Sequence, residues 1–240
     1  MNKHYLIWPL AFTVPAVAIL LVMGFWQLDR LTWKEGLIET RTAALTADPL
    51  LLPQDIRQSA DLDFYRVFLT GRFLHGREIL IQNRNHNGVR GLHVLTPLQR
   101  VSAEGGGTIF VNRGWIPLKM QDRGKRNNQP EGSVRVAGIV RIGVVSRNAF
   151  TPANDPGKNL WYDYDPENMA RYLGFESQSL IVEIDQPSPP GIFPVTGLSH
   201  YELKNNHLSY ALTWFSLAAG LVLIFGLFLR QRLREQARSR

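Results

Sequence analysis

The residues whose types and spacing could do chemistry cluster in one stretch near the C-terminus. His207, Tyr210 and Trp214 stand at positions i, i+3 and i+7 of a segment that opens with polar residues and then becomes apolar. On an α-helix these positions share one face. Imidazole is a common axial ligand of haem iron, and the positive end of a helix dipole favours the neutral ring that can bind a metal. The spacing therefore indicates either a ligand-binding face or an ordinary aromatic belt at a membrane surface.

Two long apolar runs would position this face. The first extends from Tyr5 to Trp26 and the second from Leu208 to Leu229, and neither contains a charged residue. At a rise of about 1.5 Å per residue, each run matches the ~30 Å hydrocarbon thickness of a bilayer. A cleaved signal peptide is the alternative for the first run, but no small-residue cleavage motif follows it. We therefore predict transmembrane helices at 5–26 and 207–229, with the first continuing into water to about Thr42. No mitochondrial-type leader is expected in the four residues before the first helix.

The distribution of charge predicts the topology. The formal net charge is +7, and five arginines of the tail 230–240, less Glu235, carry +4 of it. Basic residues are retained on the cytoplasmic side of a membrane, so both 1–4 and 230–240 are expected in the cytoplasm. Residues 27–206 would then be exported, which in a bacterium means a periplasmic domain anchored in the inner membrane. Because the central region is nearly balanced in charge, no nucleic-acid partner is expected, and the lipid bilayer is a predicted contact.

The composition excludes several kinds of site. The chain contains no cysteine, which rules out disulfides, thiolate catalysis and iron–sulfur clusters. No nucleophile–base pair, metalloprotease helix or phosphate-binding loop is present, so we do not expect an enzyme. His93 and His200 are candidates for a second axial ligand, although each is more typical of a structural residue, and His86 is not expected to bind a metal.

The central region has the pattern of a β-rich domain with one short helix. Aromatic and β-branched segments separated by turn residues predict strands. They are 64–74, 78–83, 93–98, 108–113, one or two strands within 133–145, and 180–185. Asp165 followed by Pro166 predicts the start of a helix that ends at Gly174. The expected fold is an α+β membrane protein in which two transmembrane helices flank an exported antiparallel barrel or sandwich.

Local patterns lead to further expectations. Residues 83–88 are expected to form a polar turn, and Arg113 and Trp115 a fold-determining turn after a strand. A partner-contact surface is the minor alternative for those two residues. The small residues Ser216 and Gly220 are expected to let the first span pack closely against the second. Two further segments are expected on the surface: a solvated basic loop with Lys119, Arg123, Lys125 and Arg126, and an extended proline-rich linker at 187–194.

Five segments, in order along nearly the whole chain, resemble the surfeit locus protein 1 family. They are GFWQLDR at 24–30, VFLTGRF at 67–73, GLHVLTPL at 91–98, VNRGWIP at 111–117 and NHLSYALTW at 206–214. The resemblance implies a role in assembling haem–copper cytochrome c oxidase, with subunit I and other assembly factors as partners. For bacterial members it also implies transient binding of haem a near the second span, at positions that correspond here to His207 and Trp214; Tyr210 joins them through helical spacing. The alternative is a membrane scaffold that stabilises oxidase intermediates without binding haem.

Overall fold

Three α-helices and seven strands make up the regular structure of the described residues, and the chain divides into two compact units. The computed structural model describes residues 4–54, 62–143, 151–198, 201 and 203–238. The elements are α1 His4–Thr46, β1 Leu50–Leu51, β2 Arg66–Phe73, β3 Ile79–His86, β4 Val89–Arg100, β5 Thr108–Pro117, β6 Ser133–Ile142, α2 Pro166–Leu173, β7 Ser177–Ile184 and α3 His207–Arg238. One unit comprises Met1–Thr40 with Glu202–Arg240, and the other comprises Arg41–Tyr201.

The first unit contains two helices that are long and apolar enough to cross a membrane. Both expected apolar helices are thus confirmed, and α1 accommodates Pro9 and Pro15 without ending. Prolines are tolerated in membrane helices, where neighbouring groups compensate for the lost hydrogen bonds. The continuation of α1 is longer than expected, since it ends at Thr46 rather than at about Thr42.

Among the less exposed residues of α1 and α3, one set on each helix recurs in steps of three and four. On α1 they are Thr13, Val17, Leu20, Gly24, Gln27, Leu31, Lys34 and Ile38. On α3 they are His207, Ala211, Trp214, Ala218, Leu221, Phe225 and Phe228. This spacing is that of helices packed side by side, as in coiled coils. The contacts between the two helices lie near the start of α3, where Gly24 and Phe25 meet Phe215 and Gln27 meets His207.

The prediction for Ser216 and Gly220 is wrong. Ser216 is exposed, and a Cβ atom added at Gly220 would meet no atom within 4 Å. The close approach is made instead by Gly24, where an added Cβ would lie 2.5 Å from the ring of Phe215. The small residue that admits the partner helix is thus on α1, and Ala211 is the buried small residue one turn before Phe215 on α3.

The second unit is a closed barrel. Five strands form a ring in which each pairs with two neighbours, in the order β2–β6–β7–β5–β4 and back to β2. The ring closes where Gly71–Phe73 of β2 pair with Leu98–Arg100 of β4, while β1 and β3 extend it at its margins. The expected β-rich domain is confirmed as a barrel. Most pairings are antiparallel, but β1–β2 and β5–β7 are parallel.

Alternating side chains of the strands build two hydrophobic layers. Ile109 and Val111 of β5 point into the barrel with Leu180 and Val182 of β7. The intervening Phe110 and Ile181 point outward, where α2 covers them. Because both of its faces are covered, β5 is buried along nearly its whole length, and β7 is buried from Leu180 to Glu183. The short helix begins as expected, with the Asp165 carboxylate accepting a hydrogen bond from Asn168 N, and ends at Gly174 in a left-handed conformation.

Two of the expected turns lie inside strands. Strand β3 continues to His86, so the polar turn at 83–88 is reduced to Asn87 and Gly88, both with positive φ. Arg113 and Trp115 lie within β5 rather than after it. Between them, Gly114 has a φ of 107°, and a Cβ there would lie 2.0 Å from the carbonyl oxygen of Val195. Only glycine fits this position, where Trp115 and Val195 exchange two backbone hydrogen bonds.

Polar residues expected at the surface are partly buried. Arg126, from the basic loop, is 5% exposed and pairs with the Glu78 carboxylate, to which its Nη1 donates at 3.0 Å. Arg113 is 2% exposed and donates to backbone and side-chain oxygens at 128–129. Burial lowers the pKa of Arg113 to about 10, so it remains charged at neutral pH. These two arginines therefore contribute to the packing of the barrel, whereas Lys119, Arg123 and Lys125 of the basic loop are exposed as expected.

Candidate functional site

His207 is the first residue of α3. The N-terminal end of that helix is capped by the side chain of Asn205 and the main-chain carbonyl of Asn206. The Asn205 side-chain oxygen accepts a hydrogen bond from His207 N at 3.4 Å, and the Asn206 carbonyl accepts one from Tyr210 N at 3.2 Å. Asn205 also donates to the carbonyl of Leu31 at 3.5 Å. Free N–H groups at a helix start are satisfied in this way by short polar side chains. The backbone of His207 is thereby fixed within the first unit.

The imidazole of His207 has a defined partner on the other helix. Its Nδ1 lies 2.7 Å from Oε1 of Gln27, which is 8% exposed. A carboxamide oxygen only accepts hydrogen bonds, so His207 donates through Nδ1–H. A neutral ring protonated at Nδ1 keeps its lone pair on Nε2. The described residues supply no hydrogen-bond partner for that nitrogen, which is the one available to a metal.

Trp214 and Tyr210 occupy different surroundings on α3. The Trp214 indole Nε1 is buried, and no acceptor lies within reach among the residues that the structure describes. Tyr210 is 56% exposed, so its ring lies at the margin of the packed stripe. Seven residues of helix separate His207 from Trp214, about 10 Å along the axis. The structure thus brings His207 and Trp214 into the same packed stripe and leaves Tyr210 outside it.

These groups fit a haem at this end of the helix. Nε2 of His207 would hold the iron, and histidines that bind metals almost always donate their other ring N–H to a neighbour. The orphaned indole N–H of Trp214 would satisfy an acceptor on the same molecule, and the exposed ring of Tyr210 offers an apolar surface. An unpaired buried donor is unfavourable, so Trp214 is a position at which a bound group would improve the hydrogen bonding.

His93 in the barrel has the hydrogen bonds that are typical of a buried structural histidine. Its Nδ1 lies 2.5 Å from the hydroxyl of Tyr164 and 3.4 Å from Nδ2 of Asn112. Asn112 Nδ2 only donates, so Nδ1 of His93 accepts and the ring proton is on Nε2. Burial lowers the pKa of His93 to about 4, aided by the charge of Arg84, and raises the pKa of Tyr164. Both rings are therefore neutral near pH 7.

The same network continues across the barrel to the end of the second unit. Asn112 donates to Glu183 at 3.4 Å, and the hydroxyl of Tyr201 donates to the other oxygen of that carboxylate.

His86 packs against Trp115, with ring centroids 5.2 Å apart. His200, the remaining candidate for a second ligand, lies outside the described residues. The described part of the chain contains no group of three or more metal-ligating side chains.

Gln27 is the residue that sequence reasoning missed. It was recognised only as part of the segment that ends the first apolar run. A signal was available, because Gln27 continues the three-and-four spacing of Val17, Leu20 and Gly24 as a polar residue at the end of an apolar run. A polar group at such a position requires a partner on the facing helix.

Comparison with known proteins places the chain among relatives of similar length. Its sequence matches the model of the SURF1 family over residues 14–219. It is 38% identical to the SURF1-like protein of Monosiga brevicollis over 241 residues, covering 95% of this chain and 88% of that protein. Surfeit locus protein 1 of Takifugu rubripes is 32% identical over 213 residues, covering 82% and 87%, and that of Homo sapiens is 32% identical over 225 residues, covering 87% and 73%. The resemblance seen in the five sequence segments is confirmed, and the chain belongs to the SURF1 family.

Proposed function

We propose that this chain is a non-catalytic assembly factor for haem–copper cytochrome c oxidase. Membership in the SURF1 family over 14–219 is the observation that supports this role. The proposed partners are subunit I of the oxidase and other assembly factors. The two apolar helices support a membrane location, which we propose to be the inner membrane, with the barrel on the periplasmic side and both termini in the cytoplasm.

The more specific step is transient binding of haem a at the start of α3, followed by help with its insertion into subunit I. The observation that supports this step is the bonding of His207. Because Nδ1 donates to Gln27 at 2.7 Å, Nε2 is left as the free nitrogen on the ring. Haem a supplies the iron and the macrocycle, and the chain supplies an imidazole, an indole N–H and an apolar helix surface. Holding haem through a few reversible contacts suits a protein that must release it again.

Co-purification tests the proposal. The tagged chain is isolated in mild detergent from a host that makes haem a, and the pigment and the oxidase subunits that accompany it are identified. We expect haem a and subunit I with the wild-type chain. We expect His207→Ala to retain subunit I and lose the pigment.

Two other outcomes would change the account. Recovery of subunit I with no haem a on the wild-type chain would support the scaffold alternative and reject the haem step. Absence of every oxidase subunit, together with normal oxidase levels in a strain lacking the chain, would reject the assembly role itself.

A further inference from the structure

Gln27 is a buried carboxamide in an apolar helix. It is 8% exposed, and it is followed by Leu28 and preceded by Phe25 and Trp26. Transferring an amide from water to an apolar environment without a hydrogen bond is unfavourable. A leucine would fill the same position in the stripe without that cost. The presence of glutamine therefore requires an explanation in what its side chain contacts.

The contact is set by the register of the two helices. Gln27 lies one step beyond Gly24 in the α1 stripe, and His207 lies one step before Ala211 in the α3 stripe. One turn before Gln27, Gly24 leaves room for the ring of Phe215, which would lie 2.5 Å from a Cβ at that position. The edge-on contact of Phe25 with Phe215, at 5.3 Å between centroids, lies beside it. The packing thus delivers the Gln27 side chain to the ring of His207.

The hydrogen bond has one possible direction. Oε1 of Gln27 accepts from Nδ1–H of His207 at 2.7 Å, a short distance for an N–H···O bond. The bond fixes both the tautomer and the orientation of the ring, and it increases the electron density at Nε2. Histidines that bind metals are commonly held in this way by a carbonyl or carboxylate acceptor.

We propose that Gln27 is a positioning residue of the haem site, holding the proton of His207 on Nδ1 so that Nε2 faces the ligand. This inference deepens the proposed function and rests on it. The binding site is then shared between both apolar helices: α3 provides the ligating atom and α1 provides the group that prepares it. Gln27 does not touch the iron; it acts through His207.

A purely structural role for Gln27 makes different predictions. A polar residue in a helix stripe can fix the register of the pair without influencing any ligand. In that case, the tautomer of His207 would not depend on the acceptor strength at position 27. The two roles are separated by variants that keep the side-chain volume and change only the acceptor. Gln27→Leu removes the acceptor, and Gln27→Glu replaces it with a carboxylate, which accepts more strongly.

The first experiment needs no haem. The full chain is labelled with 15N-histidine, reconstituted in lipid, and studied by solid-state NMR, with the His207 signal identified by its absence from His207→Ala. We expect the wild type to show a protonated Nδ1 and a bare Nε2. We expect Gln27→Leu to show a mixture of the two tautomers. Unchanged His207 signals in Gln27→Leu would overturn the proposal.

The second experiment uses haem a as the probe. The same variants are loaded in detergent, and haem affinity is measured together with the iron–histidine stretching frequency in the ferrous form. Loss of such a hydrogen-bond partner typically lowers affinity 10- to 100-fold, so Gln27→Leu should bind haem a at least about tenfold more weakly. Its stretching frequency should fall, whereas Gln27→Glu should bind well with a raised frequency. Gln231→Leu, the same substitution at an exposed site on α3, is the matched control and should change neither quantity.

The outcomes distinguish this inference from the proposed function. Equal frequencies in the wild type, Gln27→Leu and Gln27→Glu, with haem lost only in His207→Ala, would reject the positioning role and retain the haem site. Full haem binding by His207→Ala would reject both. If Gln27→Leu fails to fold, the shift in Gln27→Glu alone decides, since a carboxylate preserves the volume and the bond.

Discussion

At the scale of single residues, His207 and His93 differ in which ring nitrogen carries the proton. His207 donates through Nδ1 to Gln27 and leaves Nε2 free, whereas His93 accepts at Nδ1 from Tyr164 and Asn112. The first arrangement suits a metal ligand and the second a buried structural residue. The sequence showed both as histidines near apolar residues. The two histidines are distinguished only by their hydrogen-bond partners, which come from distant parts of the chain.

The burial of His93 predicts a dependence of stability on pH. Its pKa is about 4 in the folded chain and 6.5 in the ordinary reference state. Between these values the unfolded chain binds more protons, so the free energy of unfolding should fall as the pH is lowered from about 6.5 to 4. The contribution is at most roughly 3 kcal/mol, at 1.36 kcal/mol per pKa unit.

Comparison of the wild type with His93→Gln measures that contribution. Urea unfolding of the full chain in detergent, repeated from pH 7 to pH 4, should show a shallower loss of stability in His93→Gln, since the titrating group is gone. Carboxylates that titrate in the same range affect both proteins and cancel. Parallel stability curves for the two proteins would show that His93 is not held neutral by its surroundings.

At the scale of elements, the pairing of α1 and α3 depends on one glycine. A side chain at Gly24 would overlap the ring of Phe215, whereas an added Cβ at Gly36 of the same helix would meet nothing within 4 Å. Gly24→Leu should therefore separate the helices at the level of Gln27 and His207, and Gly36→Leu should not. Because the chain has no cysteine, a pair of introduced cysteines joined by a short bis-maleimide reports the separation directly.

We expect efficient cross-linking of α1 to α3 in the wild-type background. The matched control Gly36→Leu should cross-link equally well, and Gly24→Leu should show a severalfold loss. Ser216→Leu should cross-link normally, because Ser216 is exposed. An equal loss of cross-linking in Ser216→Leu and Gly24→Leu would contradict this arrangement, because it would mean that α3 turns the face with Ser216 toward α1.

Most elements could be predicted from the sequence because their signals are local. The two apolar runs, the capped helix after Asp165 and the strand cores depend on periodicity and on residues within a few positions. The predictions failed where contacts between residues far apart in the sequence determine the structure. Strand β3 continues to His86 because β4 pairs with it, and β5 continues through Gly114 because Val195 arrives beside it. Likewise, the position of His207 on one helix face was enough to predict it as a site residue. The role of Gln27 became visible only from its contact with the facing helix.

At the scale of the whole molecule, the chain combines a helical unit that carries the candidate haem ligand with a barrel that contains a continuous hydrogen-bond network. The barrel network from His93 to Tyr201 is occupied with its own hydrogen bonds. The free nitrogen and the orphaned indole N–H both belong to the helical unit.

The proposed topology predicts which surfaces are accessible from each side of the membrane. Ala103→Cys lies at an exposed position in the barrel, and Ala237→Cys lies at an exposed position near the end of α3. In intact spheroplasts, a membrane-impermeant maleimide should label Ala103→Cys and not Ala237→Cys, and lysis should expose both. Labelling of Ala237→Cys before lysis would reverse the proposed orientation.

The central claim is that the chain holds haem a through His207, and the absorption spectrum of the purified protein tests it most directly. The wild type, His207→Ala and His93→Gln are purified from a host that makes haem a, and occupancy is measured per chain. The account predicts that the wild type and His93→Gln carry the pigment with the same bands, while His207→Ala is nearly devoid of it. Undiminished occupancy with unchanged bands in His207→Ala would contradict the account.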